Sequence, residues 1–321
     1  TLVEASLTPS SQMTARRQSC KTFARHATSL CTPPSPLAAY RAHEASLRTG
    51  FTHLYARRGS LDRSPAAAFR SQCRDGGHTS QTSGCVPGFV QANFVALPRA
   101  HAFDFLKFCL HNPRACPLLD VTAPGSPSPT IVAPGADLRT DIPKYCIWRD
   151  GEVAGEASDV VDLWDDSMVG FLLGCSFSWE SILQREGLPP RQVEQGVNVP
   201  MFQTSLRNAS VGPFAGNLVV SMRPYLPSQL GRVEAITSAY PGAHGGPVHW
   251  GDPTELGLTF SQLTRPCWGD PVEIRPGEVP VFWACGVTPQ TALREARLPL
   301  AITHAPGHMF ICDLQDSELK V

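Results

Sequence analysis

The second half of the chain alternates between short apolar segments and amphipathic segments, and this pattern limits the fold more than any other feature of the sequence. Apolar runs at 216–224 and 279–286 are each followed by a segment with helical spacing, at 228–240 and from Thr288 onward. Strands that alternate with helices favour an α/β fold. We therefore expect an α/β fold with a mixed sheet, helices on both of its faces, and two interwoven subdomains.

Segments in the first half extend this pattern. Residues 89–97 are mostly apolar and predict a buried strand, which Pro98 ends. Residues 120–141, rich in Pro and Gly, predict a long irregular segment. Another helix is predicted from Ser176 or Ser178 to Glu186, because Gly187 and two prolines follow it. The helix after Pro98 is expected to bury one side, made of Ala102, Phe103, Phe105, Leu106, Cys109 and Leu110.

The composition is that of a chain with a sizeable core. Hydrophobic residues make up 42% of the 321 residues and charged residues 17%, which argues against wholesale disorder. Apolar runs stay well below the roughly 18 residues of a membrane span, so we expect a soluble protein with no membrane partner. The 11 cysteines include no C-x-x-C pair, which argues against a disulfide scaffold and favours a reducing compartment.

Charge divides the chain into two parts. Residues 1–63 hold nine bases and three acids, whereas the remaining residues carry a net charge of about −7. An Arg-rich, acid-poor beginning is typical of a mitochondrial transit segment, which would place the protein in the matrix. The alternatives are a disordered tail of a cytoplasmic protein or an artefact of the gene model. We expect an N-terminal extension over 1–65 and one domain over 66–321, whose acidic character argues against a nucleic-acid partner.

Histidines in two turns are the first candidates for chemistry. A His is the usual proton acceptor near neutral pH, so His249 and His304 are candidate bases, and His308 or Glu180 would donate a proton. An alternative is that these histidines bind zinc together with Asp252. The Ala-Pro-Gly between His304 and His308 does not place them together on a helix face, and we expect no metal and no cofactor. The remaining alternative is that the histidines only form structural hydrogen bonds.

A second group of residues is suited to binding an anion. The hydroxyls of Ser176 and Ser178, with the free N–H groups of the following helix, could hold a carboxylate or simply cap the helix. Thr288 begins another helix after an apolar run and offers a second such pocket. Cys175 does not fit the G-x-S-x-G nucleophile pattern, because Ser178 stands where glycine is required. Guanidinium groups suit carboxylates, so Arg139 and Arg223, together with Asp252, complete the predicted substrate-binding set, although each arginine could equally form a structural salt bridge.

Long motifs follow one another from about residue 66 to residue 321. They are GFVQAN (88–93), PGADLRTD (134–141), FLLGCSFSWE (171–180), NVPMF (198–202), VVSMRP (219–224), HGGPVHWGDP (244–253), GEVPVFWACGVTPQ (277–290) and THAPGHMF (303–310). Together they resemble the D-glutamate cyclase family, also described as hydro-lyases, in its single-domain form with an added N-terminus. The resemblance implies a two-part α/β fold and conversion of D-glutamate to 5-oxo-D-proline with loss of water.

These observations predict a lyase that removes water from a small carboxylate, D-glutamate first among the candidates. His249 or His304 would take the amine proton, and Arg139 and Arg223 would clamp the carboxylates. The alternatives are dehydration of another hydroxy acid, a metabolite-binding module without catalysis, and a metal-dependent hydrolase. The expected partner is the small-molecule substrate, and a homo-oligomer is possible. The sequence shows no phosphate-binding or dinucleotide motif, so no nucleotide cofactor is expected.

Overall fold

The computed structural model describes residues 64–321. The predicted N-terminal extension therefore lies almost wholly outside the described residues. The helices are α1 (Pro65–Arg74), α2 (Arg99–His111), α3 (Phe177–Arg185), α4 (Arg191–Gln195), α5 (Leu230–Ser238) and α6 (Thr288–Ala296). The strands are β1 (Phe89–Pro98), β2 (Leu118–Val121), β3 (Tyr145–Arg149), β4 (Glu152–Ala157), β5 (Met168–Gly174), β6 (Met201–Arg207), β7 (Asn217–Tyr225), β8 (His249–Trp250), β9 (Val279–Ala284), β10 (Ala301–His304) and β11 (Phe310–Gln315).

The strands form two sheets. The first has seven strands in the order β2-β5-β1-β10-β3-β4, with β11 also paired to β1, and the second has four strands in the order β6-β7-β9-β8. The pairs between named strands of the described residues are all antiparallel, whereas the sequence suggested a single mixed sheet. The α/β class is confirmed. The chain builds most of the first sheet, passes through the second, and returns with β10 and β11, so the two parts are interwoven.

Strand β1 is the centre of the first sheet because it has partners along both edges. One edge pairs with β5 over seven residues. The other edge is shared, since β11 pairs with the beginning of β1 and β10 with its end. Residues 90–97 are all buried, as the apolar run predicted.

The predicted apolar side of helix α2 is partly wrong. Phe105 and Cys109 lie in the core together with Phe108. Phe103 and Leu110 are 68% and 45% exposed, respectively. They are seven residues apart and therefore share a helix side, which adjoins the buried one and faces solvent.

Helix α3 occupies the segment that the sequence predicted, and Gly187 follows its end with φ +73°. It continues from β5 of the first sheet, whereas α6 continues from β9 of the second sheet. Each of these helices thus begins where a central strand ends, which is the position that the candidate site uses. Within residues 64–321, no helix is long and apolar enough to cross a membrane.

Candidate functional site

The candidate site begins at two strand–helix junctions that are built alike. In the first sheet, Gly174 at the end of β5 pairs with Ala92 of β1, and Cys175 follows. In the second sheet, Ala284 at the end of β9 pairs with Val220 of β7, and Cys285 follows. Each junction leads directly into a nine-residue helix. The two cysteines therefore occupy equivalent positions.

A hydroxyl three residues after each cysteine completes the neighbouring strand. Ser178 Oγ accepts a hydrogen bond from the amide of Gln91 at 3.1 Å and donates one to its carbonyl at 3.3 Å. Thr288 Oγ1 makes the same two bonds to the amide and carbonyl of Val219, at 3.0 and 3.3 Å. Both hydroxyls were predicted to bind substrate. In the structure both hydroxyls are bonded to backbone groups beside the ends of β5 and β9, where buried N–H and C=O groups need partners. The carbonyl of Val219 also accepts from the amide of Cys285 at 3.0 Å.

Arg223 of β7 and Glu180 of α3 form a buried ion pair at these junctions. Arg223 Nη2 lies 2.6 Å from Glu180 Oε1, and both side chains are almost completely buried. The guanidinium also donates to the hydroxyls of Ser176 and Ser221, each at 3.0 Å. Three of the residues that the sequence singled out, Ser176, Glu180 and Arg223, are thus brought together.

The ion pair has further support on both sides. The guanidinium carbon lies 4.7 Å from the ring centroid of Trp179 and 5.4 Å from that of Trp283, so the cation is enclosed by two aromatic faces. Gln192 and Ser83 donate hydrogen bonds to the two carboxylate oxygens of Glu180. Arg223 Nε is buried and has no hydrogen-bond partner among residues 64–321. One donor of a fully buried guanidinium is therefore left without a partner in this part of the chain.

A cavity of about 440 Å³ lies beside this pair. Its lining includes Gln91, Phe177, Ser178 and Glu180, together with the loop that begins at Gly84. A volume of this size is within the range of small-molecule sites. The cavity borders the first turn of α3 at Phe177, Ser178 and Glu180.

His304 lies where β1 changes partner from β11 to β10. Its Nδ1 lies 3.1 Å from the amide nitrogen of Phe94 and 3.2 Å from the carbonyl oxygen, so the ring stands in for a missing strand partner. Burial lowers the pKa of His304 to about 4, and its Nε2 has no partner among the described residues. The ring is neutral near pH 7, and its backbone contacts are structural.

His244, which the sequence did not single out among the catalytic candidates, is close enough to Arg223 to be affected by its charge. Burial is the main cause that lowers the pKa of His244 to about 4, and the positive charges of Arg223 and Arg114 contribute to that shift. Its Nδ1 donates to the carbonyl of Arg114 at 2.7 Å, because a carbonyl oxygen only accepts, so the neutral ring carries its proton on Nδ1. Its backbone has φ +74°, which is unusual for a residue with a side chain. That conformation is visible only in three dimensions.

His249 lies on the other face of the second sheet. It pairs with Phe282, which in turn pairs with Met222, the residue before Arg223. Since successive residues of a strand point to opposite faces, His249 and Arg223 project from opposite sides of the sheet. His249 Nε2 is 2.7 Å from the carbonyl of Asp252, and the Asp252 carboxylate caps the turn at Thr254. His249 and Arg223, which were predicted to act on the same substrate, are therefore not brought together.

Arg139 and His308 also have local partners. Arg139 makes a two-pronged ion pair with Asp137, two residues earlier, with Nη2 2.7 Å from Oδ2. His308 Nδ1 lies 3.2 Å from the carbonyl of Pro306. In the described residues Arg139 is paired with Asp137 and Arg223 with Glu180, so each guanidinium of the expected clamp has a carboxylate partner of its own. Among residues 64–321, no three His, Cys, Asp or Glu side chains are grouped so that they could hold a metal ion.

Comparison with known proteins identifies the family. A profile described as D-glutamate cyclase matches residues 169–313. A Rubrobacter xylanophilus protein named "Putative hydro-lyase" is 52% identical over 256 residues, which cover 80% of this chain and 98% of the relative. A Geobacillus kaustophilus relative with the same kind of name is 50% identical over 252 residues, covering 78% of this chain and 95% of the relative. The chain belongs to the D-glutamate cyclase family.

A nitrogen repressor-like protein from Methanococcus jannaschii is a solved structure that matches. It covers 78% of this chain and 97% of its own, with 10% identity and a TM-score of 0.35, so it supports no conclusion about fold or function. The part of this D-glutamate cyclase family member that matches the profile includes both junctions, Glu180 and Arg223. Strand β1, with which the first junction pairs, precedes it.

Asn93 of β1 is a residue of this site that sequence reasoning did not select. Its Nδ2 donates to the carbonyl of Gly174 at 2.8 Å. A β-carbon placed on Gly286 would lie 1.9 Å from the same Nδ2, so Asn93 also packs directly against the second junction. The signal available in the sequence was an amide in an otherwise apolar buried strand, since buried polar groups require partners. Asn93 thus connects the two junctions of this family member.

Proposed function

We propose that the protein is a hydro-lyase that removes water from a small amino or hydroxy carboxylate, and that it cyclises D-glutamate to 5-oxo-D-proline. Membership of the D-glutamate cyclase family supports the class of reaction. The observation that carries the proposal is the fully buried guanidinium of Arg223, which keeps one free donor beside two helix N-termini. A buried cation with a free N–H is suited to a carboxylate.

Arg223 and Ser176 would bind a substrate carboxylate. Glu180 supplies the charge that keeps the buried guanidinium in place, and Gln192 and Ser83 hold Glu180 in turn. Helix N-termini add a favourable field for the anion. The two remaining requirements are proton removal from the amine and proton delivery to the departing oxygen. His304 is bound to the backbone of Phe94, and His249 projects from the far face of the sheet, so neither imidazole is well placed for these roles.

The test of this function is a substrate panel. Purified protein is incubated with D-glutamate, L-glutamate and a series of small hydroxy acids, and products are read by proton NMR. The expected result is 5-oxoproline from D-glutamate. An alkene from a hydroxy acid, without 5-oxoproline, would instead support dehydration of that acid. Binding of carboxylates with no product of either kind would show a binding module and contradict the proposal.

Arg223→Lys tests the carboxylate contact. Lysine keeps the positive charge but loses the forked donor geometry. A lost hydrogen bond to a charged group costs about 1.5–3 kcal/mol, so we expect KM for D-glutamate to rise about 10- to 100-fold. Arg207→Lys is the matched control, because Arg207 makes an exposed two-pronged pair with Glu295. Unchanged kinetics in Arg223→Lys would remove Arg223 from substrate binding.

A further inference from the structure

The equivalent junctions place two cysteines at one locus. Cys175 follows the residue that pairs with Ala92, and Cys285 follows the residue that pairs with Val220. The amide and carbonyl of Gln91 are bonded to the hydroxyl three residues after Cys175, and those of Val219 are bonded to the hydroxyl three residues after Cys285. This correspondence relates the two halves of the site, one from each sheet.

The two thiols are also near each other. Both belong to one hydrophobic cluster, with members from each junction and from strands β6 and β7 of the second sheet. Cys285 is close enough to raise the pKa of Cys175 by its charge. Asn93 holds the junctions in contact, since it donates to Gly174 and packs on Gly286. Cys175 and Cys285 are buried residues with 6% and 8% of their surface exposed, whereas Cys312 is 0% exposed.

A cation and backbone donors are directed at this locus. The N–H of Phe177 points at the sulfur of Cys175, and those of Val287 and Gly286 point at the sulfur of Cys285. The charge of Arg223 acts on both thiols. Its buried and unpartnered Nε is a second sign of a missing ligand, independent of the cysteines. Burial raises the pKa of Cys175 to about 12 and of Cys285 to about 11, so both enter a reaction protonated near pH 7.

We propose that Cys175 and Cys285 are the two proton-transfer residues of the site, acting on either side of a carboxylate substrate bound by Arg223. This inference rests on the proposed function and names the groups that it leaves unassigned. Arg223 would hold the carboxylate between the thiols, and Asn93 would be a positioning residue. Thiols can serve as general acids and, once deprotonated, as general bases.

The proton balance of glutamate cyclisation fits such a pair. The C–N bond forms, the C–O bond of the γ-carboxyl breaks, two protons leave the α-ammonium, and two protons reach the departing oxygen, which leaves as water. The thiol on the oxygen side first donates its proton and becomes a thiolate. The thiol on the nitrogen side passes its own proton to that thiolate and takes one from the nitrogen, and a second round of the same transfers delivers the second proton to the oxygen. The pair therefore ends each turnover with the protons it began with, and no oxidant or reductant is required.

Turnover of single alanine variants tests the catalytic role. We expect Cys175→Ala and Cys285→Ala each to lower kcat for D-glutamate by about 10²- to 10⁴-fold, with KM little changed, as is usual when a general acid or base is removed. Cys312→Ala is the control for loss of a buried thiol elsewhere in the core. Thermal melting of all three variants separates lost chemistry from lost folding. Wild-type kcat in either folded site variant would overturn the proposal.

Cross-linking tests the shared site without relying on activity. Dibromobimane, which bridges two nearby thiols, is added to the native chain, and the linked peptides are mapped by mass spectrometry. We expect a Cys175–Cys285 link and loss of turnover. Cys109 and Cys116 are the control, because they also lie side by side but are both 1% exposed, and they should stay unlinked.

The two assays separate the two proposals. A Cys175–Cys285 link in a wild-type protein that converts no member of the substrate panel would overturn the proposed function and support the paired thiols. Absence of that link would overturn the paired site even if the protein cyclises D-glutamate. A linked protein that keeps full turnover would show that the thiols do not take part in the reaction.

Discussion

The imidazole of His304 replaces a strand partner at one position of the central strand. Phe94 faces the gap between β10 and β11, and the ring Nδ1 is within hydrogen-bond distance of both its amide and its carbonyl. Protonating this ring would place a charge in a fully buried position, which is why burial lowers its pKa to about 4. The neutral ring is therefore part of the folded structure.

This depressed pKa predicts acid sensitivity. The unfolded His304 has a pKa near 6.5 and binds a proton below it, whereas the folded ring does so only near 4. The unfolded chain thus holds more protons between these values, and the free energy of unfolding should fall as pH drops from about 6.5 to about 4. His304 alone would contribute about 3 kcal/mol to that fall.

Urea unfolding at about pH 7 and about pH 4 provides the measurement. His304→Gln should show a smaller loss of stability between the two pH values than the wild type. His111→Gln, altered at an exposed histidine, should follow the wild type. An equal pH dependence in His304→Gln and the wild type would contradict the assignment.

At the scale of elements, the first residue of a helix forms hydrogen bonds with a strand of the neighbouring sheet. The sequence predicted a helix beginning with Thr288 as its N-cap, and α6 does begin there, but Val287 is the cap. The Thr288 hydroxyl instead bonds Val219, which is 69 residues away. Local pattern predicts where a helix starts, because capping and proline preferences are local, but it carries no information on a partner from a distant strand.

Thr288→Val measures that contact. Valine keeps the shape of threonine but leaves the buried amide of Val219 without a partner, whereas its carbonyl still accepts from the amide of Cys285. An unsatisfied buried group costs about 1–3 kcal/mol, so we expect a loss of about 1–3 kcal/mol in the free energy of unfolding. Thr288→Ser should recover most of it. Thr264→Val, at an exposed turn, should change stability by less than about 0.5 kcal/mol. A small effect at Thr288 would mean that other groups satisfy Val219.

In the candidate site, too, the sequence pattern predicts individual residues but not the contacts between residues that are far apart in the chain. Ser176, Glu180 and Arg223 could be selected from the sequence because each stands at the end of an apolar run. The choice between Arg139 and Arg223 could not be made, since either guanidinium is suited to a carboxylate and the sequence does not show which one already has a local partner. Asp137 engages Arg139 from two residues away, whereas Arg223 meets Glu180 across 43 residues. The equivalence of Cys175 and Cys285 was likewise hidden, because it consists of strand register and not of repeated sequence.

At the scale of the whole molecule, the ion pair joins the two sheets. Glu180 belongs to the helix that continues β5, and Arg223 belongs to β7. Taking two charges out of water is costly, and their attraction compensates only while both are present. The same pair therefore ties the helix that continues the first sheet to a strand of the second and compensates the charge of the buried guanidinium. Removing one member leaves the other charge buried without compensation.

A double-mutant cycle on this pair tests its role in the assembled molecule. We expect Arg223→Met and Glu180→Gln each to lower the free energy of unfolding by about 3–5 kcal/mol, measured by urea denaturation. The double variant should lose much less than the sum, because neither charge is then left alone. Arg207→Met with Glu295→Gln is the control cycle, since that pair is exposed and should couple by about 1 kcal/mol or less. Additive losses at Arg223 and Glu180 would show that each side chain is stabilised by its other contacts, and that the pair does not tie one sheet to the other.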